Sequence, residues 1–267
     1  MGKIIAIVNQ KGGVGKTTTA VNLTAAVGAQ GKKVLLVDID PQGNATSGLG
    51  INKRDVKLSS YDNIINSTPA SQTIIHSPFK NVDVIPSTMD LAGAELELVD
   101  VERREAKLRS CLALVKSQYD FIFLDCPPSL GLITLNGLCA ADTLLVPIQC
   151  EYYALEGLSQ LISTVRNIKR LYNPLIDIEG VLLTMYDGRL NLTQQVVDEV
   201  KKFFPKKVFN TVIPRTVRLS EAPSFGQPVM YYDRNSKGTF AYDNLATELI
   251  NISSRCLPHR NSSSAEA

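Results

Sequence analysis

Asn9-Gln10-Lys11-Gly12-Gly13-Val14-Gly15-Lys16-Thr17-Thr18-Thr19 is the stretch on which the reading of this chain turns. It follows an apolar run, Lys3 to Val8, that reads as a strand buried on both faces, and it leads into Thr18 to Gln30, whose apolar spacing suits a helix. A strand, a glycine-rich loop and a helix are the setting in which Gly-Lys-Thr means a phosphate-binding loop. Glycines let backbone N–H groups turn inward around phosphate oxygens, the helix N-terminus adds a favourable dipole, and a lysine supplies charge. The backbone of Gly12, Gly13, Val14, Gly15 and Thr18 would cradle the phosphates. Lys16 would reach the β and γ phosphates, and the Thr17 hydroxyl would ligate Mg²⁺. The loop departs from the usual G-x-x-x-x-G-K-[ST] in having Gln10 at the first glycine and a second lysine, Lys11, ahead of the glycine pair.

Outward from the loop, short apolar runs rich in β-branched residues alternate with helical patterns: Lys3–Val8, Lys33–Val37, Val82–Pro86, Tyr119–Leu124, Thr143–Pro147, Ile178–Thr184 and Lys207–Ile213. Continuous rather than alternating hydrophobicity predicts strands covered on both faces, hence an α/β fold with a mostly parallel, twisted sheet and helices on either side. Right-handed crossovers would then gather the strand C-termini, and any ligand, along one edge. Two of those runs end in carboxylates: Val37-Asp38-Ile39-Asp40-Pro41-Gln42-Gly43-Asn44 and Leu124-Asp125-Cys126-Pro127-Pro128. One such Asp is ordinarily a cap or turn former. Three beside a phosphate loop fit Mg²⁺ and water, because a hard cation that keeps several waters needs only one or two carboxylates plus phosphate oxygens. Asp125 suits holding Mg²⁺ through water, Asp40 orienting the attacking water, and Asp38 supporting the metal shell. Pro127-Pro128 suits a switch segment with few available shapes. Met89 to Lys116 predicts one or two amphipathic helices whose charges are solvated surface, and Glu151 suits a helix cap.

At 267 residues with 44% hydrophobic content and no Trp, the chain suits one large α/β domain. That domain is expected over 1–252, with 253–267 a disordered tail. A net charge of +2 is too mild to argue for nucleic acid by itself. Five cysteines without a close C-x-x-C pair argue against a disulfide framework or zinc ribbon and point to reduced cytosol. No run approaches the roughly 20 apolar residues of a membrane span, and no leader peptide is expected.

The Lys11-Gly-Gly-Val-Gly-Lys16-Thr17 arrangement resembles the deviant Walker A box of the ParA/MinD group of P-loop ATPases, and Asp38 to Asn44 resembles the Walker A′ box of ParA proteins. Leu182 to Asn191, Ile213 to Ser224, and Tyr231 to Ile250 resemble chromosomal and plasmid partitioning ATPases of the ParA/Soj type, so the likeness covers almost everything up to about Ile250. The resemblance implies ATP and Mg²⁺ as cofactors and Lys11, Lys16 and Asp40 as catalytic residues. It further implies a homodimer closed around ATP, with Lys11 reaching the partner's nucleotide and Glu151 near the interface. It implies Met185, Pro214 and Thr216 beside the base, Thr216 standing where such proteins often carry Asn. Arg189 and Arg218 match DNA-contacting arginines, so non-specific double-stranded DNA and a ParB/Spo0J-like centromere-binding protein are the expected partners, with a nucleoid-associated cytoplasmic location. A MinD-like membrane-cycling ATPase is the alternative. It needs a basic amphipathic C-terminal helix, whereas Asn251 to Pro258 is short and ends in proline. A nitrogenase-reductase-like electron carrier would need paired interface cysteines, and Cys126 and Cys150 lack the flanking glycine-rich sequence. For a metabolic P-loop ligase no substrate-specific residues stand out.

Overall fold

The computed structural model describes residues 2–151 and 154–255. β1 (Lys3–Ile7) lies at the centre of a seven-stranded sheet with β2 (Val34–Asp38), β3 (Ile75–His76), β4 (Val82–Ile85), β5 (Phe121–Asp125), β6 (Thr143–Gln149) and β7 (Asp177–Thr184). The order is β3-β4-β2-β5-β1-β6-β7, and every pairing is parallel except β3 against β4. The alternation hidden inside the continuous apolar runs separates two cores. Ile4, Ala6 and Val8, with Leu35 and Val37, face one layer of helices; Ile5, Ile7, Leu36 and Phe123 face the other. The second face is covered by α1 (Lys16–Ala29) and the C-terminal helix Lys237–Arg255, whose Tyr242, Leu245 and Leu249 are buried there. The first is covered by the helices Lys107–Ala113, Leu132–Ala140, Ala154–Leu171 and Asn191–Phe203. Truncating a fully buried Phe123 in such a core would cost about 3–5 kcal/mol.

Three expectations change. Lys207–Ile213 is not a strand: it meets β7 only through isolated bridges, Val181 with Val208 and Tyr186 with Pro214. The backbone N–H groups of Asn210 and Thr211 donate instead to Glu248 of the C-terminal helix, at 2.7 and 2.9 Å, which draws the segment off the sheet edge. Met89 to Lys116 is not one or two regular helices but short pieces, Met89–Ala92, Ala94–Glu97, Arg104–Ala106 and Lys107–Ala113. Buried Asn136, on the facing helix, donates to the Arg104 carbonyl and accepts from Leu108 N–H, serving backbone groups at the break. The antiparallel edge strand β3 had no sequence signal, since two residues are too few for periodicity. Of the expected tail, residues 253–255 belong to the last helix, which runs to Arg255; residues 256–267 lie outside the described residues.

Candidate functional site

β1 is a central strand, so the loop that follows it is anchored from both sides. Asn9 donates to the Pro147 carbonyl at 2.7 Å and accepts from Lys11 N–H at 3.0 Å, setting the direction in which the loop leaves the strand. At the other end Thr184, the last residue of β7, donates its hydroxyl to the Val14 carbonyl at 2.8 Å. Between these ties Gly13 and Gly15 have φ of +74° and +88°, which a side chain would strain. α1 starts with no side-chain cap and no acidic residue in its first turn, so its leading N–H groups are available to an anion. Lys16 lies buried over this turn, and its Nζ donates to the Lys11 carbonyl at 3.1 Å. Burial lowers its pKa, opposed by the nearby carboxylates of Asp125 and Asp40.

The parallel register places Asp38 directly beside Asp125, and Asp125 beside Ile7, at the mouth of the same loop. Thr17 donates to Asp125 Oδ2 at 2.8 Å. The other oxygen, Oδ1, is buried without a hydrogen-bond partner, an arrangement that an Mg²⁺-bound water would complete. Burial, then the charge of Asp38, raises the Asp125 pKa well above the ordinary carboxylate range. Asp38 has both oxygens engaged: Oδ1 accepts from Asp40 N–H at 3.1 Å, and Oδ2 accepts from the Thr46 N–H and hydroxyl, each at 2.8 Å. Burial pushes its pKa up to about 6 against those hydrogen bonds. Asp38 thereby ties the Asp40 backbone and the first turn of α2 (Asn44–Gly48) to the end of β2. Asp40 accepts from Gln42 N–H at 2.9 Å and is buried beside the loop. Among the described residues no three His, Cys, Asp or Glu side chains form a metal cage of their own.

Beyond Gly15 and Thr18 a cavity of about 450 Å³ opens, walled by Met185, Pro214, Arg215, Thr216 and Tyr242. It continues the phosphate loop in the direction a nucleoside would take. A larger cavity, about 760 Å³, lies at the opposite end of the sheet around Lys3, Lys33 and Lys116, and it contains none of these residues. Lys11 Nζ is 3.4 Å from Glu151 Oε2, and Glu151 also receives Gln149 and lies 3.8 Å from Arg215. Glu151 thus holds Lys11 within its own chain. The bridge between Tyr186 and Pro214 brings the Arg189 and Arg218 segments side by side. Both arginines already have carboxylate partners. Arg189 forks onto Asp187 at 2.8 and 2.6 Å, and Arg218 pairs with Glu221 at 2.8 Å and Asp233 at 3.1 Å. Burial pushes the Cys126 thiol up, and the thiols of Cys111 and Cys150 up to about 11, so these are inert core groups. Sequence reasoning missed Asn9, Thr46 and Thr184. Each acts through a hydrogen bond across a long sequence separation, for which no local pattern exists. The partnership of Arg189 with Asp187 had a signal in its i,i+2 spacing.

A family model described as an AAA domain matches residues 2–178. The chain is 59% identical over 249 residues to the sporulation initiation inhibitor protein Soj of Bacillus subtilis (strain 168), covering 93% of this chain and 98% of that protein. It is 50% identical over 260 residues to the chromosome partitioning protein ParA of Myxococcus xanthus (strain DK1622), covering 97% and 92%. Among solved structures, cobyrinic acid a,c-diamide synthase from Mycobacterium smegmatis with a bound ATP analogue and magnesium superposes with a TM-score of 0.84 at 35% identity, covering 95% and 96%. No helix among the described residues is long and apolar enough to cross a membrane.

Proposed function

The chain belongs to the ParA/Soj family of partitioning P-loop ATPases, and from that premise we propose that it binds Mg²⁺ and ATP, dimerises around the nucleotide, binds DNA without sequence preference as the dimer, and lets go on hydrolysis. The observation that carries the catalytic half is the Asp125 carboxylate, tied to Thr17 through one oxygen and left with the other buried and unpartnered.

Lys16 exchanges the Lys11 carbonyl for phosphate oxygens, while the uncapped turn of α1 supplies N–H donors. Thr17 and Asp125 would hold Mg²⁺, which would supply positive charge against the phosphate oxygens. Asp40, held by Asp38 and its own turn, orients the attacking water. Met185, Pro214 and Thr216 wall the base. Lys11 leaves Glu151 to reach the partner's phosphates, and Glu151 then lies at the interface. Arg189 and Arg218 from two chains meet DNA phosphates, so two weak surfaces on one polymer bind far more tightly than one. A ParB/Spo0J-like protein stimulates turnover, and the protein works in the cytoplasm on the nucleoid, without stable membrane binding.

The test is DNA binding with no nucleotide, ADP, ATP and a non-hydrolysable ATP analogue, each at two salt concentrations. Binding confined to the triphosphate states is expected. Lys16→Ala should lose nucleotide, Lys11→Ala should keep nucleotide and lose the dimer, and Asp40→Ala should bind ATP and DNA without hydrolysis. Equal DNA binding in all four states would remove the switch, and sedimentation with liposomes in ATP would restore the membrane-cycling reading.

A further inference from the structure

The two arginines on which the proposed DNA binding rests are both already paired with carboxylates. Asp187, Glu221 and Asp233 set three carboxylates against two guanidiniums. The pairing at Arg189 is bidentate, with Nε and Nη2 each on one oxygen of Asp187, and the Asp187 backbone neighbourhood completes it: Oδ1 also accepts from Arg189 N–H at 3.1 Å. Hydrogen bonds from Arg189 hold the Asp187 carboxyl down at about 2, so it stays charged at any working pH. Arg218 is shared between Glu221, one helical turn away, and Asp233, which comes from a turn 15 positions later in the chain and has no local reason to be there.

Carboxylate and phosphate each offer two oxygens to the planar fork of a guanidinium. A carboxylate in that position does two opposite things. It holds the arginine extended and oriented, and it competes with the phosphate for the same N–H donors. We propose that Asp187, Glu221 and Asp233 are internal competitors for the DNA phosphates, holding Arg189 and Arg218 in phosphate-ready geometry while keeping each single surface too weak to retain DNA. This rests on the proposed DNA binding and concerns its regulation: a surface attenuated in this way binds only when ATP doubles it.

Asp187→Asn separates the two effects, since the amide keeps an acceptor for Arg189 and removes the competing charge. Exposed ion pairs of this kind are worth a factor of about two to five. A dimer presents each pair twice, so the affinity of the ATP-bound dimer for a short duplex should rise roughly four- to twenty-fold. Asp187→Ala, which removes the orienting contact as well, should rise less than Asp187→Asn. Glu221→Gln should act in the same direction through Arg218. Glu102→Gln, an equal change of net charge at an exposed residue on another part of the surface, should change affinity less than two-fold. The measurement is fluorescence anisotropy with a labelled duplex in the presence of the non-hydrolysable ATP analogue, with thermal melts to show that each variant folds. Affinity unchanged or reduced in Asp187→Asn, or raised equally by Glu102→Gln, would overturn the proposal while leaving the DNA-binding reading intact. Failure of the unsubstituted chain to bind DNA with the analogue would overturn that reading and this one together.

Discussion

Lowering the pH from 7.5 to 5 should stabilise the nucleotide-free protein, and the effect should pass through Asp38. Its carboxyl is fully buried and titrates at about 6 in the fold, against 3.8 for the free side chain. Above pH 6 the folded chain therefore carries a carboxylate that the unfolded chain carries in water at lower cost. A rise of about 2 pH units corresponds to roughly 3 kcal/mol of penalty at neutral pH. Protons remove the penalty as the pH falls through the folded pKa, and the relief is complete below the unfolded one. Between pH 7.5 and 5 about 1.3 kcal/mol is recovered, which for a chain of this size is roughly 3–5 °C in Tm. Asp125, raised by burial and by Asp38, adds to it in the same direction. The assay is a thermal melt of wild type and Asp38→Asn at both pH values, without Mg²⁺ or nucleotide. The variant will melt lower at each pH, because an amide cannot accept from the Thr46 N–H, the Thr46 hydroxyl and Asp40 N–H together. What matters is the increment on acidification, which should be smaller in the variant than in wild type by at least about 1.3 kcal/mol, the share of Asp38, while the share that burial gives Asp125 remains in both. Titration of other groups, His76 included, cancels in that comparison. Equal increments in the two proteins would show that Asp38 is not the group holding the strained charge.

Thr46→Val keeps the shape and the position-46 N–H that donates to Asp38 Oδ2, but removes the hydroxyl donor to that oxygen and strands the buried Ser87 N–H, which donates to the Thr46 hydroxyl at 2.9 Å; a loss of about 1–3 kcal/mol is expected in denaturant unfolding. Gly28→Ala would gain about 1 kcal/mol in helix propensity. However, the new Cβ would lie 2.6 Å from the Lys80 carbonyl oxygen and 2.8 Å from Val82 Cγ2, so net destabilisation of roughly 1–2 kcal/mol should appear in the same assay. His76 donates Nδ1–H across β3 and β4 to Asp83 Oδ1 at 2.6 Å, which raises its pKa above 6.5. Its contribution is therefore present at low pH and lost as the pH rises through that folded value. An NMR titration of the ring protons should show the raised pKa, and Asp83→Asn should abolish the elevation.

Much of the site was legible because its residues belong to contiguous motifs. Lys11 to Thr18, Asp38 to Asn44 and Asp125 each follow an apolar run, and a parallel sheet sends the ends of such runs to one edge. The same reasoning failed at Lys207–Ile213, where an apolar run has its backbone taken by Glu248, and at Met89–Lys116, where Asn136 supports breaks in a helical pattern. In both cases a polar side chain remote in sequence outcompeted the regular ladder for backbone hydrogen bonds, and hydrophobic periodicity carries no record of such a competitor.

The sequence alone determined which candidate groups stand at strand ends and that they share an edge, since glycine spacing, strand hydrophobicity and the positions of aspartates are local properties. Only the tertiary structure decided the state of those groups. Asp38 is a brace because Thr46 and the Asp40 backbone occupy its oxygens, Asp125 keeps one oxygen unpartnered, and Lys11 is held by Glu151. Arg189 and Arg218 are exposed in number but matched in charge by Asp187, Glu221 and Asp233. Charge and hydrogen-bond capacity are counted residue by residue in a sequence, whereas whether they are free or already matched depends on distances of about 3 Å between residues that the fold brings together.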